Sequence, residues 1–213
     1  MGETVLHGYF RSSPSWRVRM ALAWKGIAFQ VAPVNILKGE QSAPAYLTLN
    51  PQGRVPLLEI DGLSLVQAPA ILEYLEETRP EPPLLPADAQ ARARVRAMAA
   101  LIATDITPLQ NLNVGRRLKA QFGADDAAVA DWSRAYIEAG LAELERQAGV
   151  YGGRFLYGDA FSLADVHLVP QMIAARRFGA AVGPRLQAVE ARCLELPAVF
   201  DTRPEAQPDA PAG

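Results

Sequence analysis

Arg11-Ser12-Ser13-Pro14-Ser15-Trp16-Arg17-Val18-Arg19 gathers three hydroxyls and three guanidinium groups where an apolar run hands over to a helical pattern. Loops that follow strands in α/β sheets are where ligands bind. With Ser13 as N-cap and Pro14 as the first helical residue, free backbone N–H groups and the positive end of the helix dipole face outward and stabilise an anion. If the anion is a thiolate, each unit of pKa depression below ~8.5 needs ~1.4 kcal/mol. A serine hydroxyl donating one charge-assisted hydrogen bond supplies about 1.5–3 kcal/mol, so one or two such donors with the dipole suffice. Ser12, Ser13 and Ser15 taken alone equally describe ordinary helix capping.

Two further segments have the same character. Asn50-Pro51-Gln52-Gly53-Arg54-Val55-Pro56 is a turn that enters a strand through proline, which has no N–H for a sheet ladder and belongs at a strand start or edge. A cis Val55–Pro56 bond would turn the Val55 N–H and C=O toward the first helix, where they could pair with a peptide-like ligand; trans is the commoner state of such bonds. Gln67-Ala68-Pro69-Ala70-Ile71 is again a turn into a helix, whose first N–H groups could hold a carboxylate.

Elements that position these loops follow from periodicity. Residues 4–10 read as a strand, 15–25 as a helix and 27–34 as a second strand. Residues 57–60 and 63–66 form a hairpin around Asp61-Gly62, and a helix covers about 69–77. The order β-α-β then β-β-α makes a small α/β sheet. Ala occurs 8 times in residues 1–80 and 29 times in 81–213, which marks a change of architecture. Four prolines within residues 79–87 deny helix hydrogen bonds and make an extended linker. Beyond it, Val95, Met98, Ile102, Ile106 and Leu109 stripe one long helix that Pro108 should kink. A second helix covers about 127–146, with Trp132, Tyr136, Leu141 and Leu144 as anchors. A third starts at Ser162, where Ser162 and Asp165 match a capping box and Phe161 and Val166 a hydrophobic staple. Residues 203–213, with three prolines and little to bury, read as a disordered tail.

Composition excludes several functions. The chain has 213 residues, 21 basic against 23 acidic side chains and a formal net charge of −2, so it lacks the cationic excess of a nucleic-acid binder. One cysteine, Cys193, and two histidines, His7 and His167, leave no disulfide or structural zinc site, and a reducing cytosol is the natural compartment. The longest apolar run, residues 97–103, is far short of a membrane span. Met1-Gly2 opens like a myristoylation site, but Leu6 stands where serine or threonine is needed. His7 and His167 have no ligand partner at metal spacing, Asp165 is accounted for as a cap, and Arg92, Arg94 and Arg96 read as a solvated helix face.

Taken together, the three loops resemble the zeta class of glutathione transferases, the maleylacetoacetate isomerase family, over essentially the whole chain. The matching stretches are Tyr9-Phe10-Arg11-Ser12-Ser13, Ser15-Trp16-Arg17-Val18-Arg19, Asn50-Pro51, Val55-Pro56, Glu73-Tyr74-Leu75-Glu76-Glu77, Pro108-Leu109-Gln110-Asn111-Leu112, Ala164-Asp165 and Leu168-Val169-Pro170-Gln171. The resemblance implies the glutathione transferase fold: an α/β thioredoxin-like domain over residues 1–80, the linker at 81–87 and an all-α domain over 88–202, assembled as a homodimer. It implies glutathione as cofactor and a small anionic unsaturated diacid as substrate. By the same resemblance Ser12 and Ser13 flank the glutathione sulfur with Ser15 beside them. Gln41 and Val55 contact its peptide backbone, Gln67 and Ala68 hold its γ-glutamyl end, and Gln110 is a further contact. Arg177 corresponds to the arginine that binds a substrate carboxylate, with Arg11 a second anion partner.

The chemistry implied is cis-trans isomerisation in tyrosine or phenylalanine breakdown. A thiolate adds to the conjugated carbon, the double bond becomes single and rotates, and expulsion of the thiolate restores it as trans, so glutathione is not consumed. The sequence departs from the family at Pro14, usually cysteine, at Ala68, usually serine, at Thr107, often histidine or glutamine, and at Gly115, commonly leucine. Maleylpyruvate isomerisation, glutathione transfer or α-haloacid dehalogenation, and a non-catalytic module that keeps the fold are the competing readings.

Overall fold

A computed structural model describes residues 3–211; Met1-Gly2, on which the acylation reading rests, and Ala212 and Gly213 lie outside the described residues. The chain divides into two compact units, the first made of residues 1–83 and 195–213, the second of residues 84–194.

In the first unit β1 (Val5–Gly8), α1 (Ser13–Trp24), β2 (Gln30–Pro33), α2 (Pro44–Leu49), β3 (Leu57–Ile60), β4 (Leu63–Val66) and α3 (Ala68–Thr78) follow in order. The sheet order is β2-β1-β3-β4, with β1 and β2 parallel and the other neighbours antiparallel. Asp61, at φ 55°, and Gly62, at φ 77°, give the β3–β4 turn the two positive φ angles that a tight hairpin requires. α1 and α3 pack together on the sheet and bury Trp16, Val18, Met20, Leu22, Ile71 and Leu75. The short α2, which proline starts at its first turn, was not expected from periodicity; six residues are too few to show one.

The Trp-Arg-Val-Arg stretch turns inward. Arg17 and Arg19 are each 1% exposed, and burial lowers their guanidinium pKa values to about 9 and about 10. Arg19 Nε donates to the Thr202 carbonyl at 3.1 Å, and Trp16 Nε1 donates to Thr202 Oγ1 at 3.1 Å. These bonds correct the expectation for the end of the chain. Residues 195–202 belong to the first unit, α9 (Pro197–Phe200) packs on α1, and residues 203–211 run along that unit with Pro204 buried. Val199 and Pro204 are buried and Asp209 accepts from the Phe10 N–H at 2.9 Å, partners far away in sequence that composition alone does not reveal.

The second unit contains α4 (Ala89–Ala100), α5 (Leu112–Phe122), α6 (Asp126–Tyr151), α7 (Leu163–Phe178) and α8 (Pro184–Cys193). The single kinked helix expected here is instead α4 followed by a π-helical segment, Leu101–Ile106, closed by Thr107 N–H donating to the Ile102 carbonyl at 2.9 Å. Proline removes one helix hydrogen bond and crowds the preceding turn; the widened turn lies directly ahead of Pro108, and Asn111 caps a separate α5, whereas α7 carries Pro170 in its interior without ending there. Four members of the stripe, Val95, Met98, Ile102 and Ile106, are buried, while Leu109 is half-buried and lies beyond the helix. In α6 the buried face is Ser133, Ile137, Gly140, Leu141, Leu144 and Ala148, while Tyr136 is exposed and Trp132 donates to the Leu109 carbonyl at 2.9 Å.

α7 begins as expected. The fully buried Asp165 carboxylate accepts from Ser162 N–H at 2.9 Å, Ser162 Oγ at 2.8 Å and Leu156 N–H at 2.8 Å, and burial raises its pKa to about 6. Cys193 is buried, and burial, followed by the Asp165 and Glu190 charges, pushes its thiol well above the ordinary range. The arginine run of α4 is more than a solvated face: Arg92 donates to the Pro86 carbonyl at 3.2 Å and Arg94 lies over the Tyr151 ring. Gly115 is explained by close packing, since a Cβ there would stand 2.9 Å from Val129 Cγ1 of α6. No helix among the described residues is long and apolar enough to cross a membrane.

Candidate functional site

Sheet register places the three loops together. Leu57, the first residue of β3, pairs with His7 of β1 on one side and with Val66 of β4 on the other. β3 runs antiparallel to both neighbours, so β1 and β4 leave the sheet at the edge where β3 enters it. The Tyr9–Ser12 turn, the Val55-Pro56 entry and the Gln67 turn therefore emerge side by side. β2 ends at the same level, with Gly8 opposite Pro33, and sends out the segment carrying Gln41.

Ser12, not Ser13, is the N-cap of α1: its backbone is extended, its Oγ accepts from Ser15 N–H at 3.3 Å, and Ser13 is the first helical residue with Pro14 behind it. The Ser12 N–H donates to the Tyr9 carbonyl at 2.9 Å, which makes a turn that moves the cap one residue earlier than the proline suggested. A hydroxyl has two lone pairs and one proton, so Ser12 accepts the capping bond and still has its proton to donate. The Ser13 N–H is among those that an α-helix does not satisfy internally. Ser15 is fully buried, packed so closely under Gly8 that a Cβ on Gly8 would lie 3.2 Å from the Ser15 hydroxyl. Ser15 thus supports the turn from inside, and its Oγ has no hydrogen-bond partner among the described residues.

The Val55–Pro56 bond is cis, and Pro56 is buried at the entry to β3. The preceding Arg54 carbonyl accepts from Tyr46 Oη and Asn50 Nδ2, both at 2.7 Å. Gln67 caps α3 in a strained conformation, φ 68° and ψ 108°, a region that side-chain-bearing residues rarely adopt. Such strain costs on the order of 1–3 kcal/mol and clusters at ligand clamps. Gln67 Nε2 donates to Gln52 Oε1 at 2.8 Å, which joins the second and third loops. Gln52 was absent from the sequence-based site, although the Asn-Pro-Gln-Gly turn contains it. Ala68 is buried at the start of α3, where its N–H faces out of the helix end.

Gln41 provides the test of whether glutathione suits this edge. Its backbone lies against Gly53, where a Cβ would come within 3.2 Å of the Gln41 carbonyl. Its Oε1 is buried and has no hydrogen-bond partner among the described residues. A buried acceptor beside an exposed turn suits a ligand carrying peptide N–H groups, and two helix N-termini suit one carrying a thiolate at one end and a carboxylate at the other. The residues present fit the cofactor. Arg11 is exposed at the tip of the first loop. In the second unit Gln110 and the fully buried Gln171 exchange amide hydrogen bonds at 2.9 and 3.1 Å, and the exposed Arg177 lies over the Phe178 ring at 4.7 Å. His7 pairs with Glu59, and His167 Nδ1 bonds the Leu163 carbonyl at 2.8 Å within α7.

Residues 6–83 match the family model for the glutathione S-transferase N-terminal domain. The chain is 48% identical to a maleylacetoacetate isomerase of Pseudomonas aeruginosa, over 97% of this chain and 99% of that one. Among solved structures, the holo form of a maleylpyruvate isomerase, a bacterial zeta-class glutathione transferase, superposes with a TM-score of 0.95 at 43% identity, covering 97% of this chain and 100% of that one. A maleylacetoacetate isomerase from Methylobacterium extorquens AM1, with bound malonate and glutathione, gives a TM-score of 0.93 at 38% identity over 98% and 100% of the two chains.

Proposed function

The chain belongs to the zeta class of glutathione S-transferases, the maleylacetoacetate isomerase family, and from that premise we propose that it is a glutathione-dependent cis-trans isomerase converting maleylacetoacetate to fumarylacetoacetate. The observation that carries the reading into this molecule is the pairing of Leu57 with both His7 and Val66, which sets the two helix N-termini and the Val55 entry along one sheet edge. Glutathione, when bound, supplies a thiolate that adds to the conjugated double bond and leaves again after rotation. Ser12 donates its remaining proton to that negative charge, and Ser13 adds a hydroxyl and a first-turn N–H. Gln41 and Val55 bind the peptide portion, while Gln67 and the Ala68 N–H hold the γ-glutamyl end. Ala68 lacks the hydroxyl common in relatives, so this end relies on backbone donors and on Gln67. Gln110 is assigned a further cofactor contact. Arg177 is assigned to a substrate carboxylate through its planar fork, with Arg11 as a second anion partner. A cationic group there also stabilises the enolate formed during addition.

A homodimer in the cytoplasm, acting in tyrosine or phenylalanine breakdown, completes the proposal. The similarity to a maleylpyruvate isomerase favours maleylpyruvate as the second substrate to try. The test is absorbance-monitored isomerisation of maleylacetoacetate, or its decarboxylated analogue, with and without glutathione, for the parent, Ser12→Ala and Ser13→Ala. Glutathione-dependent turnover that leaves total thiol unchanged and falls in a serine variant is expected. Faster turnover of maleylpyruvate would transfer the assignment to that acid, and net loss of thiol would indicate conjugation or dehalogenation. Neither turnover nor a rise in melting temperature with millimolar glutathione would leave a non-catalytic module.

A further inference from the structure

Phe10 lies between the end of β1 and the Ser12 cap, and both polar groups bracketing it are held from outside the loop. Its N–H donates to Asp209 Oδ2 at 2.9 Å. Its carbonyl accepts from Arg19 Nη2 at 2.9 Å, and the same guanidinium reaches the Thr202 carbonyl through Nε. The Asp209 carboxylate also stabilises the buried Arg19 charge. Backbone groups in loops ordinarily meet water; here a carboxylate and a guanidinium make charge-assisted bonds, which are roughly twice as strong as neutral ones. Two residues further on, the Ser12 N–H closes on the Tyr9 carbonyl and presents the cap hydroxyl. The carboxylate comes from a position 199 residues later in the chain, so its place beside Phe10 is a product of the fold rather than of local sequence.

We propose that Asp209 is a positioning residue of the isomerase site. By holding the Phe10 N–H it fixes the Tyr9–Ser12 turn, and through that turn the hydroxyls of Ser12 and Ser13 that face the thiolate. The proposal rests on the function assigned above. Asp209 itself touches neither cofactor nor substrate; its effect reaches Phe10 directly at the N–H and, through the Arg19 charge, at the carbonyl.

The experiment uses the full chain with Asp209→Ala, Asp209→Asn and Thr202→Val. Three quantities are read: steady-state turnover, the melting temperature, and the pKa of bound glutathione from thiolate absorbance across pH. Misplacement of a catalytic group by ~1 Å can cost about 100-fold in rate. Asp209→Ala is therefore expected to lower kcat by roughly 10- to 100-fold, with KM for the diacid changed far less, and to raise the bound thiol pKa by about one unit, the equivalent of tenfold. Asp209→Asn keeps a carbonyl oxygen for the Phe10 N–H and is expected to restore most of kcat. Thr202→Val removes the acceptor of Trp16 Nε1 on the same segment without touching Phe10; it is expected to lower the melting temperature with kcat and thiol pKa unchanged. Equal losses of kcat in Asp209→Ala and Thr202→Val at matched melting temperature would overturn the proposal, as would failure of Asp209→Asn to recover kcat. A parent that binds glutathione without turning over either diacid would count against the proposed reaction instead, and the bound-thiol titration would still decide the role of Asp209.

Discussion

Lys25 and Glu76 form an ion pair at the ends of α1 and α3 opposite their ligand-facing starts. The Nζ–Oε2 distance is 2.7 Å, the side chains are 0% and 5% exposed, and Nζ also donates to the Pro82 carbonyl at 3.0 Å. With an effective dielectric of ~20, opposite charges at this separation attract by about 6 kcal/mol. Desolvating both ions costs several kcal/mol each, so the pair as a whole contributes little net stability. Removing one partner is different, because it takes away the opposite charge that faces the other at 2.7 Å in a buried site. Glu76→Leu and Lys25→Met are each expected to cost about 3–5 kcal/mol, whereas the two substitutions together should return to within ~1–2 kcal/mol of the parent. The assay is urea unfolding of the full chain at neutral pH, with the slope checked for constancy across the four proteins. Because the pair fastens the far ends of the helices that carry Ser12 and Gln67, the single variants should also weaken glutathione binding, and the double variant should regain it. A single-variant cost below ~1 kcal/mol, or a double-variant cost equal to the sum of the singles, would refute the reasoning, since either means the two charges are not coupled.

Two further outcomes follow from Asp165 and Gly115. Burial holds Asp165 at a pKa of about 6, above its ordinary 3.8, so the stability linked to that proton is complete below 3.8 and is lost as pH rises through 6. The melting temperature of the parent should fall across that window by more than that of Asp165→Asn, and parallel pH profiles would contradict the linkage. Gly115→Leu, which introduces the residue common in relatives, should destabilise by about 1–3 kcal/mol in denaturant unfolding because of Val129; an unchanged midpoint would show that α5 and α6 separate freely.

Much of the first unit was legible from residue order. The hairpin around Asp61-Gly62 needed no tertiary information, because its turn chemistry is local, and the α7 start was equally local in the Ser162 to Asp165 spacing. Features that depend on distant partners were hidden. Trp16 and Arg19 stand in the Ser-Trp-Arg-Val-Arg stretch, yet Trp16 bonds Thr202, and Arg19 bonds Thr202 and the Phe10 carbonyl, partners no local pattern shows. Ser15 shares its neighbours' chemistry and is set apart by burial under Gly8, which no spacing rule reveals. The Ser12 cap was misplaced by one residue because Pro14 serves at the second helical position as well as the first. Pro108 was expected to kink one long helix, and the chain instead ends that helix and starts another; the π turn ahead of Pro108 is an adjustment of hydrogen-bond pitch to which side-chain periodicity is blind.

The return of residues 195–213 to the first unit makes that unit discontinuous, with residues 84–194 inserted into it. On a ribosome the strands and helices of residues 1–83 emerge well before Thr202 and Asp209. At ~5–20 residues per second, the intervening stretch delays these partners by roughly 5–20 s. During that interval Arg19 and the Trp16 indole lack the acceptors they meet in the finished protein, so the early sheet remains soft and its cofactor edge unset. A fragment stopping at residue 83 lacks the Thr202 and Asp209 partners of Trp16, Arg19 and Phe10.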